Sequence, residues 1–516
     1  LADDDEATLV TGSAPASVDA MRFLLLLILA ATAVASDEFP MRSRVCYDVT
    51  LGIAVRYPYD YFAPDQSVAR FWGRPKRSAE GKVVRRMRRM DVADLAVAGF
   101  PQADAPGATL QQAGERVTGP GLTWQDQPFY IEDPARPFRS AAWAPPGIAA
   151  AIGTGKGVSA LVVKHGDRFS VVMVAGGPDE GENRSILDSL EVLVTAAKSA
   201  DKPTPAKPLK TWREHQWQAG KVVGRDGRVS TATPHSWSEA NEIETAHYHV
   251  TGLVPPARLV YHGQYLEALY RAYSKVFKPE RMPPVKFEVH IFDTYDRFRA
   301  AAAAWGNALP GGPGIVGGFF VPGLLSLWVY EESGKLGGKD FTIEHVTAHE
   351  CSHQFLHVGM NGSEQVPTWV NEGLAVYFEC GKFEGGEFRV YPPMERIAQL
   401  KQLYGQTKRP LAGTLSQYID HHGHITADMY GEVFAMVYYF VFGSGRDPKT
   451  KKSGLDLFQE YMVAMRGGED GAKAFDRIFM SKLIDKYGSR DQAYAAWNEM
   501  LVRYVIENKN WTGSAP

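Results

Sequence analysis

Two histidines four residues apart, with a glutamate directly after the first, stand at His349-Glu350-Cys351-Ser352-His353. Imidazole nitrogen bonds zinc at about 2.0–2.1 Å, and on a helix residues i and i+4 share one face about 40° apart, so both rings can reach one ion. Glu350 lies beside them, where a carboxylate can take a proton from water activated by the metal and later pass it to a leaving amine. Catalytic zinc takes three protein ligands and keeps a fourth position for water, so the pattern calls for one more side chain. The competing reading makes both histidines satisfied core residues and any nearby glutamate a solvated helix charge.

The elements that must present this pair are readable. Apolar residues recur with helical spacing over 344–358, Thr342 is placed to cap that helix, and Ile343, Val346, Phe355 and Leu356 supply a face to bury. A loop over 359–366 leads to a second apolar-periodic stretch, 368–379, opening at Pro367-Thr368-Trp369-Val370-Asn371-Glu372-Gly373-Leu374-Ala375. The two segments together resemble the gluzincins, the peptidase-MA-like superfamily that includes thermolysin and aminopeptidase N. These proteins carry H-E-x-x-H followed by an N-E-G-[FL]-A-like segment on the next helix. The nearest likeness is to secreted bacterial peptidase-like domains of unknown function with a W-x-x-E-G-L-A-x-Y-F-E segment, which stands here as Trp369 to Glu379. The resemblance implies a zincin-like unit holding one zinc ion on His349, His353 and Glu372, with Glu350 as base. The metzincin alternative fails, because Leu356 and Gly359 occupy the positions where that group has Gly and His.

Resemblance to the aminopeptidase N branch also implies a tyrosine donor to the oxyanion on a later helix, and Tyr430 in Asp428-Met429-Tyr430-Gly431-Glu432 is the candidate. Peptide substrates of such enzymes lie along an edge strand beside the metal helix. Gly317 to Tyr330 is the candidate edge, with Gly317, Gly318 and Phe319 as substrate-binding residues. The aminopeptidase branch has an acidic residue there and this chain has none; the thermolysin branch has Asp four residues after its ligand glutamate, where this chain has Val376. The expectation is a zinc metallopeptidase acting on a peptide or protein, endo- or exopeptidase left open. The alternatives are a binding protein stabilised by zinc without turnover and a hydrolase of a non-peptide amide or ester. His357 is read as lying behind the ligands or at the surface, His421, His422 and His424 as a solvated loop, and Ile152 to Gly157 as no phosphate loop.

These motifs sit in a chain of 516 residues, long enough for at least two domains, with a net charge of −3 that gives no bias toward nucleic acid. Residues 21–35 have the charge, apolar run and small-x-small order of a secretory signal cleaved near Ala35. That implies a secreted or periplasmic protein with no membrane span in its mature form. Residues 1–20 read as an upstream extension. Residues 40–197 alternate strand and helix signals and are expected to form an α/β domain, whose "GIAVRYP" and "ILDSLEV" segments resemble the PsbP-type sandwiches. The Pro/Lys/Ala-rich stretch 198–211 reads as a linker. A strand-rich lobe, 212–340, and a helical lobe, 341–516, then make an α+β unit. The basic run Lys82 to Arg89 reads as a solvated helix face. With three cysteines no disulfide framework exists; Cys351 and Cys380 are near enough in the pattern to bridge, but free thiols are the simpler expectation.

Overall fold

A computed structural model of the chain describes residues 43–48, 53–58, 76–77, 83–88, 94–129, 148–155, 157–175, 184, 186–192, 222–224, 228–279, 282, 286–304, 309, 316–322, 325–332, 334–336, 339–360, 366–408, 416–420, 425–426, 429–443, 452–508 and 511. The signal-like segment, the extension before it, the linker 198–211 and the loop histidines 421, 422 and 424 lie outside the described residues.

The first part is built from β1 (Ser43–Asp48), β2 (Ile53–Pro58), β3 (Lys76–Arg77), β4 (Val83–Arg88), β5 (Asp94–Pro101), α1 (Leu110–Thr118), β6 (Thr123–Gln127), β7 (Ala149–Gly155), β8 (Val158–His165), β9 (Arg168–Ala175) and β10 (Glu191–Val192). Seven of these strands form one sheet in the order β3-β4-β5-β9-β8-β7-β6, antiparallel throughout, while β1, β2 and β10 form a second. The expected hairpins at 45–55 and 158–174 are both present; Gly166, with φ +54°, makes the tight turn between β8 and β9. Both faces of the larger sheet are covered, which is why β8 reads as a continuous β-branched run. Val162 packs with Phe100, Ala113 and Val171 on the α1 side, and Leu161 and Val163 pack with Ile53, Val55 and Val192 on the other. Trp124 fills a slot that two glycines open: a Cβ on Gly114 would fall 2.1 Å from its indole and one on Gly153 2.8 Å from it. The basic run is not a helix. Val83–Arg88 pairs with β5 as β4, because a β-branched start and a partner strand outweigh a charge pattern that suits either element.

The later strands pair among themselves. β11 (Asn241–Glu244), β12 (Tyr248–Gly252), α2 (Pro256–Phe277), β13 (Phe287–Phe292), α3 (Tyr295–Ala304), β14 (Gly318–Val321) and β15 (Ser326–Tyr330) make a sheet ordered β11-β12-β13-β15-β14. Its centre is parallel and its two edges are antiparallel. The crossover helices lie on opposite faces: Tyr265, Leu266 and Leu269 of α2 join Val250, Val289 and Leu327, whereas Phe298 and Ala301 of α3 join Phe292, Trp328 and Tyr330. A short hairpin of β16 (Gly334–Leu336) and β17 (Lys339–Phe341) then leads into the helical region.

That region contains α4 (Ile343–Gly359), α5 (Thr368–Glu379), a hairpin of β18 (Gly381–Glu384) and β19 (Glu387–Val390), α6 (Met394–Thr407), α7 (Ser416–Asp420) and α8 (Tyr430–Tyr438), whose last turn widens over Tyr439–Gly443. It closes with α9 (Gly454–Arg466), α10 (Gly471–Phe475), a wide turn Asp476–Met480, α11 (Ser481–Tyr487) and α12 (Arg490–Glu507). The arrangement is a mixed α+β one, and the β18–β19 hairpin is an interruption that helical periodicity did not reveal. No helix among the described residues is long and apolar enough to cross a membrane.

Candidate metal centre

The helix α4 is fixed before it presents anything. Phe355 and Leu356 are buried in the large core, where an apolar side chain contributes about 1.5–3 kcal/mol. Three polar ties set its position along its axis: Tyr265 donates to the carbonyl of Glu344 at 2.7 Å, Tyr273 to that of Ala348 at 2.7 Å, and the Gln354 amide to that of Leu325 at 2.7 Å. Thr342 stands at the N-terminus as expected, but its side chain makes no capping bond to the helix amides; its hydroxyl lies 3.4 Å from Nδ1 of His345. Helix α5 lies against both α4 and α8. Gly373 permits that approach, since a Cβ there would fall 2.7 Å from the carbonyl oxygen of Val433 and 2.6 Å from Val437 Cγ2.

His349, His353 and Glu372 converge and form a group that can hold a metal ion, with one ligand atom from each within 4.8 Å of the others. Oε2 of Glu372 lies 3.6 Å from Nε2 of His349 and 3.7 Å from Nε2 of His353. A tetrahedral ion with bonds of ~2.1 Å separates its ligands by ~3.4 Å, so the spacing fits one small ion. The donor set, two imidazoles and one carboxylate, is also a zinc-type set. All three side chains are under one-fifth exposed.

Each imidazole is oriented from behind. Nδ1 of His349 meets Oε2 of Glu379 at 3.1 Å, and Nδ1 of His353 meets Oδ1 of Asn371 at 2.9 Å. Either oxygen, as acceptor, holds the ring proton on Nδ1 and turns the Nε2 lone pair toward Glu372. Glu379 in turn accepts from Arg396 Nη2 at 2.8 Å. In the metal-free chain, burial opposes charge on His349, yet Glu372 and Glu379 outweigh it and push its pKa up to about 10, so an ion binding at Nε2 would displace a proton there; burial likewise opposes charge on Glu379, and His349 with Arg396 hold it down at about 2.

Glu350 points to the edge of the sheet, where its Oε2 accepts from the backbone N–H of Phe320 at 3.1 Å. β14 is the terminal strand of its sheet, as the sequence suggests, and a Cβ on Gly318 would strike Trp328 O at 2.7 Å and Val346 Cγ1 at 2.8 Å, so glycine lets the strand close against α4. The side chain of Phe319 goes elsewhere: its ring packs 5.3 Å from Phe298 and 5.3 Å from Trp328 on the α3 face. Alternation along an antiparallel strand puts Phe319 toward β15 and leaves Gly318 and Phe320 with outward backbone groups. Phe320 packs its ring 5.5 Å from that of His357, which is buried there and is not a surface residue.

Tyr430, the first residue of α8, has its ring 6.3 Å from that of His349 and lies under the guanidinium of Arg396 at 5.7 Å. Burial and the carboxylates of Glu372, Glu350 and Glu379 push its hydroxyl up to about 12 against the pull of Arg396. Cys351 and Cys380 are free thiols; the Cys380 thiol donates to the Val376 carbonyl at 3.2 Å. Of the residues singled out from the sequence, the structure brings His349, His353 and Glu372 together and places Glu350 and Tyr430 near them; Glu379, Arg396, Asn371 and Phe320 were not foreseen as their partners. Glu379 was detectable, for it follows Glu372 by two helical turns and returns to the same face.

A family model described as a protein of unknown function, DUF1570, matches residues 342–447. That stretch runs from the N-terminus of α4 through α8 and includes His349, His353 and Glu372, the residues that can hold an ion, with Glu350, Glu379, Arg396 and Tyr430. No curated protein matches the chain.

Proposed function

We propose that this chain is a zinc-dependent metallopeptidase of gluzincin type, exported by its segment 21–35, with zinc held by His349, His353 and Glu372. The observation that carries this reading is the convergence of two Nε2 atoms and one carboxylate oxygen at 3.6 and 3.7 Å, with Glu350 next to His349 on the same helix. Bound there, zinc would supply Lewis acidity toward water and a carbonyl oxygen. Glu350 takes a proton from the attacking water and delivers it to the leaving amine. The Phe320 amide fixes one oxygen of that carboxylate. Tyr430, whose hydroxyl is pushed up to about 12, stays protonated at working pH and donates to the substrate carbonyl oxygen as negative charge gathers there. The edge strand β14, beside the metal helix, is where an extended substrate chain can pair.

Retention of Glu350 favours turnover over a purely structural ion, since a structural site needs no base beside it. The test is bound metal together with cleavage of a mixed peptide library, for wild type and Glu350→Gln. Zinc retained in both and cleavage lost ~10²–10⁴-fold in the variant supports the peptidase. Zinc without cleavage in either protein makes the chain a binding protein, and no zinc in either removes the metal.

A further inference from the structure

The side chain of Arg396 touches two residues of the site and reaches them from outside both metal helices. Its Nη2 donates to Oε1 of Glu379 at 2.8 Å, and its guanidinium carbon lies 5.7 Å from the centre of the Tyr430 ring. Glu379 uses its other oxygen, Oε2, on Nδ1 of His349 at 3.1 Å. We infer that Arg396 is a positioning residue shared by the metal ligand and the phenol. Through Glu379 it fixes the tautomer and direction of His349, and through its guanidinium face it fixes the ring of Tyr430. The inference rests on the proposed metal site and adds to it the coupling of two of its parts.

Three features of the structure support this role. First, the two imidazoles are treated differently: His353 leans on the neutral amide of Asn371, whereas His349 leans on a carboxylate. Glu379 is the third carboxylate in a site that already holds Glu350 and Glu372, and all three act on Tyr430. Arg396 holds the second oxygen of that carboxylate, so Glu379 is tied at both ends and its Oε2 is kept on His349. Second, Arg396 is the third residue of α6. A cation in the first turn works against the helix dipole, so helix stability does not account for an arginine at that place. Third, its backbone packs beside the start of α8: a Cβ on Gly431 would lie 3.6 Å from the Arg396 carbonyl oxygen and 3.8 Å from its Cβ, an ordinary contact. The fork of arginine donates to a carboxylate and offers a flat face to an aromatic ring at once, which lysine cannot reproduce.

The test measures affinity for Zn2+ and Co2+ by competition with a chromophoric chelator, on folded full-length protein checked by circular dichroism. Glu379→Gln and Arg396→Ala are each expected to weaken metal binding ~10–100-fold. The double variant is expected to be no weaker than Glu379→Gln alone, because both act on one hydrogen bond to His349. Arg396→Lys keeps the charge beside Glu379 and is expected to recover metal affinity to within about threefold of wild type, while peptide cleavage stays ~10-fold down for want of the flat contact with Tyr430. Tyr430→Phe is expected to bind metal as wild type does. Folded Arg396→Ala with unchanged metal affinity overturns the inference, as does a double variant whose losses simply add. Wild type that binds metal but shows either result leaves the metal site standing and removes only this role; wild type that binds no metal removes both.

Discussion

The backbone N–H of Phe320 lies 3.1 Å from Oε2 of Glu350, so the edge strand β14 holds the carboxylate of the metal helix directly. A hydrogen bond from a main-chain donor to a charged acceptor contributes about 1.5–3 kcal/mol, and here it sets where the Glu350 carboxylate points. Phe320→Pro removes the donor while leaving the ladder to β15 intact, since residue 320 pairs outward from an edge where proline is tolerated. Cleavage is expected to fall ~10–100-fold with metal content unchanged. Phe320→Ala keeps the amide and loses only the ring beside His357, so it should retain most of the activity. Equal losses in the two variants, measured as kcat/KM on one peptide, would place the effect in the ring and not in the amide.

Metal and folding should be linked through the same three ligands. An ion that binds only the folded chain stabilises it by about 2.7 kcal/mol at a hundredfold excess over its Kd. Adding Zn2+ to metal-free protein is therefore expected to raise the thermal transition of the unit containing α4 and α5. His353→Ala and Glu372→Ala should show no such rise, and chelator should return wild type to the metal-free curve. A rise of the same size in both variants, read by calorimetry, would mean that the ion sits elsewhere.

Gly373 tests whether the ligand helix is held by packing. Alanine there must push against the Val433 carbonyl at 2.7 Å and the Val437 side chain at 2.6 Å, and overpacking of this kind costs roughly 1–3 kcal/mol. Because Glu372 is the preceding residue, a shift of α5 away from α8 also displaces a ligand. Gly373→Ala is expected to lower both thermal stability and zinc affinity, the second by ~10-fold or more. Stability lost with affinity intact would show that α5 accommodates the methyl group without moving its carboxylate.

Much of this site was legible because local rules and tertiary demands agreed. His349 and His353 show themselves by a spacing that only a helix turns into a shared face, and Glu372 by a segment that must pack closely, with Gly373 as the mark of that closeness. The boundaries of α4 and α5 follow the apolar period to within a residue, whereas the hairpin Gly381–Val390 and the short helix Ser416–Asp420 carry too few periodic apolar residues to announce themselves. Arg396 was not legible, since its place beside Glu379 depends on how that hairpin returns the chain. The edge strand was recognised but its facing was not: Phe319 and Phe320 are indistinguishable by type, and only the register Phe319↔Trp328 decides which ring enters the α3 core. The charge of Lys82 to Arg89 misled because a run of arginines says nothing about period.

A last expectation concerns pH and lies away from the metal, in the sheet. His249 on β12 has Nδ1 2.7 Å from Glu288 Oε2 on β13 and Nε2 3.4 Å from Glu242 Oε2 on β11. Burial by itself would lower its pKa, but the charges and hydrogen bonds of Glu288 and Glu242 prevail and raise it to about 10. A histidine whose folded pKa exceeds its unfolded value of about 6.5 binds its proton more tightly in the native state. Its contribution is complete below that unfolded value and is lost as pH climbs from there through about 10. Wild type should therefore lose stability to urea across that window. His249→Gln should be less stable than wild type at neutral pH and lose less stability over the same range, the remaining slope including that of His349, which is likewise held up to about 10. A variant whose urea midpoint falls with pH as steeply as that of wild type would show that His249 does not carry the proton.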